Sequence, residues 1–297
     1  MRPRSSSLAI AAAVLVAACG GSKPSGPRIY VSDETGGNLV AIDAASRQVI
    51  QKIAVGKRPR GIKLSPDGTR IFVALSGSPI GGPGVDESKL PPGDRTADGI
   101  GVVDVASGTL VQKYQSGQDP ETFDISADGK MLYVSNEESS EMTALDLTSG
   151  AIAGHVKVGE EPEGVTVRPD QRMVYVTSEG ENQVFVVDRD KMTVVARIET
   201  PARPRAVAFT PDGSSGFIST ENGGTLVVFD PATNKVIELH KFQKDPANEF
   251  PPRPMGLAVA PDGRQLFVSL GRARGIAVMS VADRSKLQVI PDVGARP

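Results

Sequence analysis

The chain has 297 residues and a formal charge of −2, enough for one large all-β domain or two ordinary ones, and without the basic balance that marks a nucleic-acid partner. A single Cys excludes a disulfide within the chain, and two His leave little material for a metal or haem site. The 32 Gly and 23 Pro fall at regular places, which argues for many turns rather than disorder.

The first segment reads as a targeting signal. Arg2 and Arg4 precede an apolar stretch over residues 8–18. That stretch is shorter than the roughly 20 residues a membrane-spanning helix needs, and a basic start, short apolar core and small residues describe a secretory signal. Val16-Ala17-Ala18-Cys19-Gly20 resembles the lipobox of bacterial lipoproteins. The resemblance implies cleavage after residue 18, a lipid on Cys19 and a membrane partner through that anchor. Gly20 in place of Asp implies, by resemblance to lipoprotein sorting in two-membrane bacteria, an outer-membrane location facing the periplasm. Residues 19–27, rich in Gly, Ser and Pro, read as a flexible tether.

From residue 28 onward the chain repeats. An aromatic residue in a Y-V-S-like run falls at Tyr30, Phe72, Tyr133, Tyr175, Phe217 and Phe267, at spacings of 42, 61, 42, 42 and 50. Three further anchors advance in step. An Asp closes the next apolar run at Asp43, Asp104, Asp146, Asp188 and Asp230, with Ser280 in the sixth copy. A Pro follows a charged residue at Pro59, Pro120, Pro162, Pro204, Pro254 and Pro297. A P-D-G-like turn recurs around Asp67, Asp128, Asp170, Asp212 and Asp262, with Gln171 replacing the Gly once. Each unit carries four strand-length runs, the first set being RIYVS, NLVAID, QVIQKIAV and GIKLS, without helical periodicity. Asp-Gly suits a tight hairpin, and left-handed geometry at Gln171 costs about 1 kcal/mol. The Asp that closes each second run can bond the backbone two residues on, and Gly108, Gly150 and Asn234 fit the reversal that follows.

A four-stranded antiparallel unit of this length cannot bury both faces alone, so the expected fold is an all-β propeller of stacked four-stranded blades. The repeated aromatics read as packing between blades. YVSNE, YVTSE, RPRGIKLSPDG and RPRAVAFTPDG resemble the YVTN-type β-propeller repeat over residues 28–297, most closely the bacterial propellers associated with PQQ-dependent catabolism. The resemblance implies that the P-x-G-I-x-L run is the innermost strand, with Y-V-S next. The loops before the former and after the latter then open on one face around the channel. Six repeats are visible, with five innermost strands after the Y-V-S runs before the sequence stops at Pro297. The expectation is a six- or seven-bladed ring, open or truncated. A second-copy insertion of about 19 residues, with Asp86, Glu87, Asp94 and Asp98, and eight extra residues over 245–252 are expected on the channel face. The insertion reads as a lid or partner loop, since its acids lack the spacing of a calcium loop.

On that face the topology gathers Glu34, Glu137, Glu179 and Glu221 after the Y-V-S strands. Before and at the innermost strands it gathers Arg58, Arg60, Asp119, Glu121, Glu161, Glu163, Arg203, Arg205 and Arg253, with Arg296 at the end. Two readings stand side by side. Charges on adjacent blades pair and stitch the rim, or they meet a small ligand or periplasmic protein, Arg suiting carboxylate or phosphate. His155 and His240 fall in fourth strands, hence at the surface, and Asp188-Arg189-Asp190 reads as a turn. No Cys-x-x-Cys-His or G-x-S-x-G is present, and no catalytic or metal residue is assigned. The function that follows is a non-enzymatic periplasmic binding or scaffold lipoprotein without a cofactor, accessory to a PQQ-linked oxidation system as the resemblance implies. The alternatives are a lactonase-like or quinoprotein-like enzyme with its site in the channel and, more weakly, a nucleic-acid binder, which the acidic balance and scarce aromatics disfavour.

Overall fold

The computed structural model describes residues 26–81, 86 and 89–294. The signal, Cys19, the tether up to Ser25, Glu87, Arg296 and Pro297 lie outside the described residues. The chain forms an all-β propeller of six antiparallel blades with almost no helix. The first blade has three strands, β1 (Arg28–Asp33), β2 (Asn38–Asp43) and β3 (Val49–Ala54). Five four-stranded blades follow. The second is β4 (Pro59–Leu64), β5 (Arg70–Leu75), β6 (Gly99–Asp104) and β7 (Thr109–Tyr114). The third is β8 (Pro120–Ile125), β9 (Met131–Asn136), β10 (Glu141–Asp146) and β11 (Ile152–Lys157). The fourth is β12 (Pro162–Val167), β13 (Met173–Ser178), β14 (Gln183–Asp188) and β15 (Thr193–Glu199). The fifth is β16 (Pro204–Phe209), β17 (Gly216–Thr220), β18 (Thr225–Asp230) and β19 (Lys235–Lys241). The sixth is β20 (Leu257–Val259), β21 (Gln265–Ser269), β22 (Gly275–Ser280) and β23 (Lys286–Pro291).

The sequence unit is offset from the blade. RIYVS, NLVAID and QVIQKIAV make the first sheet, whereas GIKLS heads the second, because its P-D-G turn returns it directly onto β5. Strands β4, β8, β12, β16 and β20 touch one another from blade to blade, so the Pro-headed run is the innermost strand.

The turn chemistry follows the sequence. Asp146, Asp188 and Asp230 each accept a bond from the backbone N–H two residues on, at 2.7, 3.1 and 2.9 Å. Gly108, Gly150, Asn234 and Gln171 all adopt positive φ, and Asp188-Arg189-Asp190 is a turn.

The core lies between blades. Five apolar clusters each join two consecutive blades. Phe72, Tyr133, Tyr175 and Phe217 are buried, each against the blade that follows. Phe267, in the sixth blade, is only half-buried, since no described blade follows it. Hydroxyls on the second strands stitch neighbours together: Ser135 Oγ donates to the Glu163 carbonyl at 2.5 Å, and Ser219 Oγ donates to the Met255 carbonyl.

Candidate functional site

The two sets of rim residues meet because the backbone joins them. The N–H of Glu137, Glu179 and Glu221 bonds the carbonyl of Asp119, Glu161 and Arg203, at 2.9, 3.0 and 2.8 Å. Each acceptor precedes the Pro that starts an innermost strand. Arg58, Asp119, Glu161 and Arg203 all have positive φ, between 41° and 64°. A side-chain residue before Pro favours extended backbone, so this left-handed geometry is strained by about 1–3 kcal/mol at each position. The strain aims four side chains at the channel mouth.

Most of those charges are paired. Arg58 Nε lies 2.7 Å from Glu34, which is exposed, and Arg58 Nη1 lies 3.7 Å from Asp119. Arg60 pairs with Glu121 and lies 4.0 Å from Glu163. Arg203 lies 2.6 Å from Glu179 and 3.4 Å from Glu221. Arg205 pairs with Glu179 and lies 2.8 Å from Glu163. Arg253 reaches Glu221 at 3.7 Å. Charges on adjacent blades therefore stitch the rim, and Arg58, Arg60, Arg203 and Arg205 also line a cavity. Burial pulls Arg60 and Arg205 down, but the carboxylates around them outweigh it and raise both.

Acid exceeds base at this mouth. Burial, reinforced by Glu163, raises the Glu121 carboxyl well above its usual range despite Arg60. Burial also raises Glu137. Glu179 is pushed up to about 7: burial raises it, Arg205 pulls it down, Glu163 raises it again, and Arg203 lowers it. Carboxylate oxygens of Asp119, Glu121 and Glu137 all lie within 4.8 Å of one another.

Above these groups is a cavity of about 840 Å³. Its floor includes Arg58, Arg60, Asp119, Glu137, Glu161, Glu163, Glu179, Arg203 and Arg205. Its roof comes from the second-blade insertion, through Ser78, Pro79, Gly81, Leu90, Pro91, Pro92, Gly93 and Arg95. The described part of the insertion is thus on the channel face, and Arg95 ties it to the third blade by pairing with Glu138, while lying 3.2 Å from Asp98. Asp98 is buried and accepts the Gly77 N–H at 2.7 Å, while Asp94 meets Lys57 at 2.7 Å. Glu34, Glu121, Glu221 and Arg253 do not line the cavity; nor does the segment 245–252. Arg95 and Glu138 do; Arg95 lies in the insertion, and Glu138 stands where other copies have Thr35, Gly180 and Asn222, so neither carries a repeat signal. His155 is exposed on β11 and His240 packs on Phe242 in β19, both remote from the mouth.

Blade-on-blade packing and a charged, roofed channel mouth define a β-propeller with a polar pocket on its axis. The model of the family described as "Lactonase, 7-bladed beta-propeller" matches residues 86–168 and 159–295, and the chain belongs to that family. A chain of Kuenenia stuttgartiensis hydrazine synthase is similar in fold at TM-score 0.69 and 19% identity, over 86% of this chain and 73% of that one. A functionally unknown protein from Desulfotomaculum acetoxidans is similar at TM-score 0.67 and 15% identity, over 91% and 82%. Antigen Lp49 of Leptospira interrogans is 28% identical over 109 residues, which is 37% of this chain and 23% of the antigen.

Proposed function

We propose that this propeller is a non-enzymatic, lipid-anchored periplasmic binding protein that captures a charged polar ligand, free or carried on a partner protein, at the channel mouth. The observation that carries this reading is the roofed cavity of about 840 Å³, walled by side chains of both signs. A pre-formed concave site with convergent polar groups is the usual form of a ligand site. The YVTN-like repeats suggest an accessory role in a PQQ-linked oxidation system, and the lipobox-like Cys19 suggests the anchor. A photo-crosslinking residue placed at Pro92, in the roof, should trap a partner or ligand in producing cells. The same residue at Leu239, exposed on β19, should not. Equal labelling from both positions, or none from Pro92 together with no small molecule retained in native mass spectrometry, would sink the proposal.

A second reading, lactone hydrolysis, takes its chemistry from Glu179. A carboxyl poised near neutrality suits a general base on water, and a neighbouring arginine suits a carbonyl oxygen. Turnover of simple lactones that rises with pH around 7 and is lost in Glu179→Gln would establish it. A panel without turnover removes it.

A further inference from the structure

We propose that Asp119, Glu121 and Glu137 form a site for a divalent cation of the calcium class on the floor of the channel mouth. The three residues sit on a rigid platform. Asp119 immediately precedes β8, Glu121 lies in it, and Glu137 immediately follows β9; Pro120 pairs with Asn136 across the two strands. Their oxygens, all within 4.8 Å of one another, can share one ion at about 2.4 Å from each. Magnesium gives up its waters reluctantly and demands a near-ideal octahedron, so a site of three carboxylates on a rigid platform suits calcium better.

A second observation points to a ligand. The Glu121 side chain is wholly buried and neither of its oxygens accepts a hydrogen bond; Oε2 has only the ion pair with Arg60. The Glu137 carboxyl lies against it within hydrogen-bonding reach, so the pair holds either a shared proton or a cation. A wholly buried carboxyl against a half-buried one is costly as two anions unless a proton or a cation lies between them.

The repeat supplies an internal control. In the fourth blade Glu161, Glu163 and Glu179 hold the same three positions, also all acidic. There Arg205, from the innermost strand of the next blade, bonds both Glu163 and Glu179. The residue in Arg205's place relative to the third blade is Glu163. The third blade therefore has the carboxylates without the guanidinium that neutralises them next door. Arg58 and Arg60 offset two of its three charges, and Glu163 adds another nearby. Asp119 and Glu137 line the cavity, which gives the ion an approach and leaves room for water or a ligand carboxylate on its open side.

Isothermal titration of the chelator-treated full chain with calcium chloride should show uptake of one ion, weaker with magnesium chloride. Glu137→Gln, at a half-buried position, should weaken calcium uptake at least about tenfold. Glu163→Arg should abolish it by supplying the guanidinium that the fourth blade already has, with the thermal melt reporting that the variant is folded. No uptake by the wild type up to millimolar calcium, or unchanged uptake in a folded Glu137→Gln, overturns the proposal. The site lies in the cavity proposed for capture but is tested apart from it: crosslinking at Pro92 can fail while calcium still binds, and the reverse.

Discussion

Gln171 shows how a side chain can offset its own backbone. It adopts φ 63° where four other copies place Gly, a cost of about 1 kcal/mol. Its Oε1, however, accepts the N–H of Ala127 in the neighbouring blade at 2.9 Å. One such bond contributes about 0.5–1.5 kcal/mol, so strain and bond nearly cancel. Gln171→Gly should therefore change stability by less than about 0.5 kcal/mol, whereas Gln171→Ala keeps the strain, loses the bond and should cost about 1 kcal/mol. Urea unfolding of both variants checks the pair, and a Gln171→Ala variant as stable as the wild type would show that the inter-blade bond contributes nothing. The rim was legible at this level only as a list of residues. Glu137, Glu179 and Glu221 keep step with Asp119, Glu161 and Arg203, so their meeting could be read from spacing. Which carboxylate each arginine takes could not, because Arg205 reaches back across a blade boundary to Glu163 and Glu179, and that reach depends on how tightly the blades curve.

The innermost strands set that curvature. Gly164 in β12 lies so close to β16 that an added Cβ would sit 2.3 Å from the Arg205 carbonyl. At Gly61 in β4 the nearest approach is 3.0 Å, to the Glu121 carbonyl. Gly164→Ala should thus prise the fourth and fifth blades apart at a cost of about 1–3 kcal/mol, and Gly61→Ala should cost less. A thermal melt of each variant tests the order; equal tolerance at both sites would mean that the blades slide freely on one another. In the third blade Thr122 fills this position and turns the close approach into a bond, donating to the Glu163 carbonyl at 2.7 Å. The strands themselves were readable because four anchors recur and each turn has its own chemistry, from Asp67 to Asp262. The roof was not readable in detail. It was placed on the right face from its flanks, β5 and β6, but Pro92 and Arg95 belong to a loop without a second copy, so nothing in the sequence fixes where they fold.

Gathering the acidic rim of several blades around one axis makes the stability of the assembled propeller depend on pH. Glu179, buried and pushed up to about 7 from a usual 4.5, binds a proton more readily folded than unfolded. It faces Arg203 and Arg205 from the fifth blade and Glu163 from its own. For a carboxyl whose folded pKa is raised, the unfolded chain holds fewer protons between the two values, so stability falls as pH rises. The contribution is complete below about pH 4.5 and is lost as pH rises through about 7, at most about 3 kcal/mol in all. The turn carboxylates act oppositely. Asp67, Asp212 and Asp283 are held near 2 by hydrogen bonds from neighbouring hydroxyls and backbone, so what they contribute is lost as pH falls from 3.8 toward 2. The melting temperature in chelator should accordingly rise from pH 8 to a maximum near pH 5 and fall again below about pH 3.8. Glu179→Gln keeps an acceptor for Arg203 and Arg205 but cannot titrate, so its melting temperature should be flatter between pH 5 and 8 while the acid limb is unchanged. A wild-type curve already flat over that range would mean that the two arginines, not burial, set the state of Glu179.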